Sequence, residues 1–153
     1  MNYELFMGEA LAEARLAMER GERPVAAVAV VNDAMVGRAH DRVRELDDPT
    51  AHAVIVALRE AARKIGTARL AQATIFATLE PCPMCVGALL QSDVEALVYA
   101  APNEVDGAAG TVLQIAQNAD LPQRLRIVSG IRRDEAEELL AAEPDLDRAT
   151  RRG

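Results

Sequence analysis

Four short, predominantly apolar runs constrain this chain more than any other feature. They are PVAAVAVV at 24–31, ATIFATL at 73–79, VEALVYAA at 94–101 and LRIVSG at 125–130. Each is short for a helix and rich in Val, Ile, Leu or Ala, so each reads as a buried strand. Between them lie helical stretches. Residues 4–19 carry Leu5, Leu11, Leu16 and Met18 among charges and alanines, and Gly21 stops that helix. Asn32-Asp33 is a turn signal, which makes MVGRAHDRV at 35–43 the hairpin partner of the first strand. RELDDP at 44–49 reads as a polar loop. The next helix starts near Thr50 as N-cap and stops at Gly66. After the strand at 73–79, EPCP turns the chain and MCVGALLQS continues as a short helix. PNEVDGAAG at 102–110 is a loop, TVLQIAQ at 111–117 a short helix, and RRDEAEELLAAE a final amphipathic helix. Helices interleaved with buried strands predict an α/β domain over 1–153, a three-layer α/β/α sandwich with one central sheet.

With 153 residues the chain can enclose one full core. Its net charge of −7 opposes a general nucleic-acid role, because basic surface supplies most of that affinity. The terminal RATRRG is the one candidate basic patch. No run is long and apolar enough to span a membrane. The N-terminus mixes acids and arginines and lacks the apolar core of a signal peptide, so a soluble, cytoplasmic protein is expected.

The chain holds two cysteines, Cys82 and Cys85, and two histidines, His40 and His52. A C-x-x-C pair in a reducing compartment is a redox dithiol or half of a metal site. Here it follows the third strand, which disfavours a thioredoxin-like role. His52 opens a different helix. Two thiolates and one imidazole make three ligands, and a zinc site with an open fourth position is the catalytic kind. The helix start after Pro83 favours thiolate over thiol. His40, at the end of a strand, reads as structural.

HAV at 52–54 and PCPMC at 81–85 resemble the signature of the cytidine deaminase superfamily, H-x-E followed by P-C-x-x-C. The stretches GERPVAAVAVV, RAHDRV, DPTAHA, ATLEPCPMCVGALL and DGAAGTVL are similar to bacterial tRNA adenosine deaminases and their guanine deaminase relatives. The resemblance covers most of residues 1–130. It implies a five-stranded mixed sheet, a homodimer, and one zinc ion per chain on His52, Cys82 and Cys85. It also implies hydrolytic removal of an exocyclic amino group from a heterocyclic base. Asp41 stands where the family has a base-contacting asparagine. Val25, Ala53 and Leu79 would line the pocket, and Leu79 and Glu80 would present backbone groups.

The family's proton-carrying glutamate, which is not a zinc ligand, falls at Val54. Valine moves no proton, and a helix start favours an acid over a β-branched residue. Three readings follow: an active deaminase whose glutamate was replaced, a natural pseudoenzyme that binds a base without turnover, or a deaminase in which Glu80 acts instead. A zinc-holding, non-catalytic paralogue that partners another chain is the alternative from a different class.

Asp41, when ionised, only accepts hydrogen bonds, which suggests a ligand with an added N–H. LPQR at 121–124 departs from the Leu-Asn-His usual in the tRNA enzymes. The last helix is acidic and lacks aromatics, whereas base-flipping enzymes use stacking and basic surface. The sequence therefore favours a small free base or nucleoside, with tRNA adenosine as the alternative.

Overall fold

The computed structural model describes residues 1–143. RATRRG and the rest of 144–153 lie outside the described residues. Five strands form one sheet in the order β2-β1-β3-β4-β5. They are β1 Ala26–Val31, β2 Ala34–His40, β3 Thr74–Leu79, β4 Ala96–Ala101 and β5 Arg126–Ser129. β1 pairs antiparallel with β2 and β3, while β3–β4 and β4–β5 are parallel, so the sheet is mixed as expected. Asn32 and Asp33 both adopt positive φ, 50° and 60°, which is the two-residue turn that matches strand twist. β1, β3 and β4 are almost entirely buried because helices cover both of their faces.

Helix α1 (Tyr3–Glu19) and α5 (Arg133–Ala141) pack together on one face; α3 (Ala53–Ile65) and α4 (Pro83–Gln91) occupy the other. Asn2 caps α1 by accepting the Leu5 N–H at 3.0 Å. The buried stripe of α1 is Phe6, Met7, Ala10, Leu11, Ala14 and Ala17. Of the apolar residues that suggested the helix, Leu5 is exposed and Leu16 and Met18 are only half-buried. Small alanines let the helix sit close to the sheet, and Phe6 meets Phe76 of β3 at 5.5 Å between ring centroids. Gly37 of β2 is required by close approach: a Cβ there would lie 2.6 Å from the Ala57 carbonyl of α3.

Three expectations are corrected. Helix α3 is capped by His52, not Thr50; the Thr50 N–H and hydroxyl both donate to Asp48 Oδ1 in the preceding loop. The stretch 44–49 is not all loop, since α2 spans Val43–Leu46. The Glu22 carboxylate accepts the Arg44 and Glu45 N–H groups at 3.1 and 2.7 Å, a cap supplied from more than twenty residues away. Residues 111–117 form no helix. The Val112 and Leu113 N–H groups donate to the Gly107 carbonyl, Thr111 is held by Glu80, and Gln114 bridges to Ala109.

Candidate metal centre and base site

Both elements that carry the metal ligands begin at a ligand. His52 is the N-cap of α3 and Cys82 the N-cap of α4, each with extended backbone, and neither side chain caps its own helix. Pro83, at the first helical position, has no N–H to leave unsatisfied. Cys85 follows in the first turn. Both helix starts therefore aim their positive ends at one point, which stabilises anionic sulfur.

The ligand atoms of His52, Cys82 and Cys85 lie within 4.8 Å of one another, and all three residues are buried. His52 Nδ1 is 3.5 Å from each sulfur. Ideal Zn–S and Zn–N bonds at a tetrahedral angle would separate sulfur and nitrogen by about 3.6 Å. The donor set and spacing thus fit zinc, and Nδ1 is the coordinating nitrogen. The hydrogen bond from Cys85, aided by His52, pulls the Cys82 thiol down to about 4, whereas the same interaction and burial push Cys85 up. One proton is thus shared unequally by the pair.

Val54 lies two residues after His52, in the first turn of α3, and is only 4% exposed. No carboxylate joins the cluster among the described residues. Glu80 does not supply one. Its buried carboxylate accepts the N–H groups of Asn103, Ala109 and Thr111 at 3.2, 2.9 and 3.1 Å, and the Thr111 hydroxyl as well. That carboxylate holds the 103–111 loop. Its backbone N–H is also engaged, with Ala101 O at 2.9 Å, so the expected Glu80 N–H contact to a ligand is not available.

Asp41 ends β2 at the site. Its N–H donates to Val25 O at 3.0 Å, and the next N–H, of Arg42, donates to Ala51 O at 3.0 Å. The carboxylate is therefore tied between the start of β1 and the residue before His52. It is 3% exposed, so it does not face solvent, and neither oxygen has a partner. Burial pushes its carboxyl up to about 7, against the opposing pull of His52. Val25, Ala53 and Leu79 are buried, and Leu79 also lines a pocket of about 340 Å³ with Arg23, Asn103 and Arg133. Arg23 and Asn103 were not singled out from sequence. Arg23 reads there as one more surface charge in GERPV, yet its side chain is buried against Glu143, Nε to Oε1 at 2.6 Å. His40 is structural as expected: its Nδ1 pairs with Glu13 Oε2 at 2.5 Å.

A mixed sheet with His, Cys and Cys gathered at two helix starts defines a zinc-binding domain of the hydrolytic deaminase class. Residues 1–101 match the family of the cytidine and deoxycytidylate deaminase zinc-binding region, and the chain belongs to that family. The chain is 41% identical over 140 residues to the tRNA-specific adenosine deaminase of Bacillus subtilis, covering 91% of this chain and 86% of that protein. A structure from work on A-to-I editing by tRNA:A34 deaminases at the wobble position superposes with a TM-score of 0.86 at 37% identity, over 89% of this chain and 99% of that one. The guanine deaminase of Nitrosomonas europaea superposes with a TM-score of 0.78 at 28% identity, over 92% and 83%.

Proposed function

We propose that this domain binds an adenosine-type base, presented in tRNA, at a zinc-centred deaminase site, and that Val54 leaves it with little or no turnover. The carrying observation is the His52–Cys82–Cys85 cluster in a chain 41% identical to a tRNA-specific adenosine deaminase. That similarity outweighs the preference for a free base drawn from the acidic final helix. Bound zinc supplies an acidified water with a pKa near 7. Val25, Ala53 and Leu79 form the apolar walls that exclude bulk water, and Asp41 orients the ligand as an acceptor. Deamination also needs a proton delivered to the ring and to departing ammonia. Val54 carries none, and losing one such group costs about 10²- to 10⁴-fold.

The test is ammonia release by the Val54→Glu protein beside the unchanged chain, each loaded with zinc. An anticodon stem-loop and a panel of free bases and nucleosides serve as substrates. Activity of the glutamate form on the stem-loop supports the proposal; inertness across the panel removes it. The likeness to a guanine deaminase and the acceptor-only Asp41 favour a free aminated base as second reading, and the same panel separates the two. We further infer a cytoplasmic homodimer. Val105, Val112 and Leu113 expose apolar side chains in one loop region, which supports self-association. Among the described residues no helix is long and apolar enough to cross a membrane.

A further inference from the structure

Among the described residues, four buried side-chain N or O atoms lack a hydrogen-bond partner: Arg23 Nη1, His40 Nε2, Asp41 Oδ1 and Asp41 Oδ2. Three of the four belong to two residues beside the metal cluster. Such groups are normally satisfied, and an exception calls for an explanation. Arg23 and Asp41 are opposite charges, and the Asp41 carboxylate lies within electrostatic range of both Arg23 and His52. Yet they do not pair with each other. Glu143 occupies only the Nε of Arg23, and the Asp41 side chain accepts nothing. Their backbones are fixed close together, because the Asp41 N–H bonds to Val25, two residues after Arg23.

The missing partner must bring two hydrogens to Asp41 and one acceptor to Arg23. A hydroxyl both donates and accepts, so two neighbouring hydroxyls satisfy all three atoms. Within an RNA strand, one hydroxyl and the adjoining phosphate oxygen would divide the same roles. A free base brings neither, and a deoxyribose brings one hydroxyl fewer. The 340 Å³ pocket on the Leu79 side of Arg23 leaves room for a substrate that continues beyond the base.

We propose that Asp41 and Arg23 form a sugar subsite that reads the hydroxyls of a ribose attached to the base at the metal. The unit recognised is then a ribonucleoside, free or within RNA. This rests on the deaminase reading of the site and specifies its substrate class.

The test is equilibrium binding by the zinc-loaded chain with Val54 kept, so that ligand is not consumed. Probes are adenosine, 2′-deoxyadenosine, adenine, and an anticodon stem-loop with ribose or deoxyribose at the target position. Hydrogen bonds to charged groups predict that each ribose form binds about 10-fold or more tightly than its deoxy counterpart. Asp41→Asn and Arg23→Met should each shrink that preference while leaving zinc content unchanged. A role confined to folding would weaken all probes alike and overturn the proposal. Stem-loop binding without adenosine binding would place the subsite's use in RNA. If the adenine series does not bind, the same comparison is made with guanosine and cytidine. Ribose preference there upholds the subsite and rejects the adenosine reading, whereas equal or absent binding in every series overturns the subsite.

Discussion

His52 Nδ1 lies 3.5 Å from Cys82 Sγ although the two residues are 30 positions apart and cap different helices. Helix α3 packs on β1 and β2, and α4 leaves β3, so the ligand distance depends on how α3 sits on the sheet.

Metal removal should therefore be read first at the ligands. Purified protein should hold one zinc per chain by elemental analysis, and Cys82→Ser, Cys85→Ser or His52→Ala should each lose most of it. In the metal-free chain Cys82 titrates near 4, so at neutral pH it is a thiolate. Thiolate absorbance near 240 nm should persist at pH 7 and fall as pH drops toward 4. Absorbance that appears only above pH 8 would contradict this.

Gly37→Ala places a Cβ against the backbone carbonyl of Ala57, which cannot swing aside. Helix α3 must shift, at a cost of about 1–3 kcal/mol. Melting should occur at lower temperature, and zinc affinity should drop with it because His52 moves with the helix. An unchanged zinc affinity would mean that the ligands are not set by this packing.

Glu80→Gln replaces an acceptor of four hydrogen bonds with an amide that also carries donors. One amide N–H group would then face the Ala109 or Thr111 N–H. The expected loss is about 2–3 kcal/mol, roughly the effect of leaving a charged bond unmade. Amide exchange should accelerate within 103–113 before it does in the sheet. Uniform acceleration would show that Glu80 supports the whole fold instead of the loop.

The fold was legible where local pattern and tertiary burial agree. The apolar runs of β1, β3 and β4 announce buried strands, and Asn32-Asp33 announces its turn. The zinc ligands were legible because C-x-x-C after a strand leaves few other uses for two thiols. What failed depended on distant partners. Helix α2 needs the Glu22 carboxylate, and the 111–117 stretch is apolar enough for a helix but is held otherwise by Glu80 and Gly107. Arg23 was illegible because nothing in GERPV indicates that its guanidinium turns inward to Glu143.

A pH dependence follows from Glu13. Burial alone would raise its carboxyl, but hydrogen bonds from His40 and Arg38 outweigh that and hold it below its ordinary value of 4.5. A depressed folded-state value contributes stability above 4.5 that is lost as pH falls through the folded value. Glu13→Gln should therefore melt at lower temperature at pH 7, and the gap from the parent should narrow progressively below about pH 4.5. A gap independent of pH would assign the effect to packing alone.

The central claim is that this is a deaminase site complete except for its proton carrier at position 54. Ammonia release from an anticodon stem-loop by zinc-loaded Val54→Glu, beside the unchanged chain, tests it most directly. The account predicts release by the glutamate form at about 10² times the parent rate or more. Equal rates, or silence from both with zinc bound and the stem-loop bound, would contradict it.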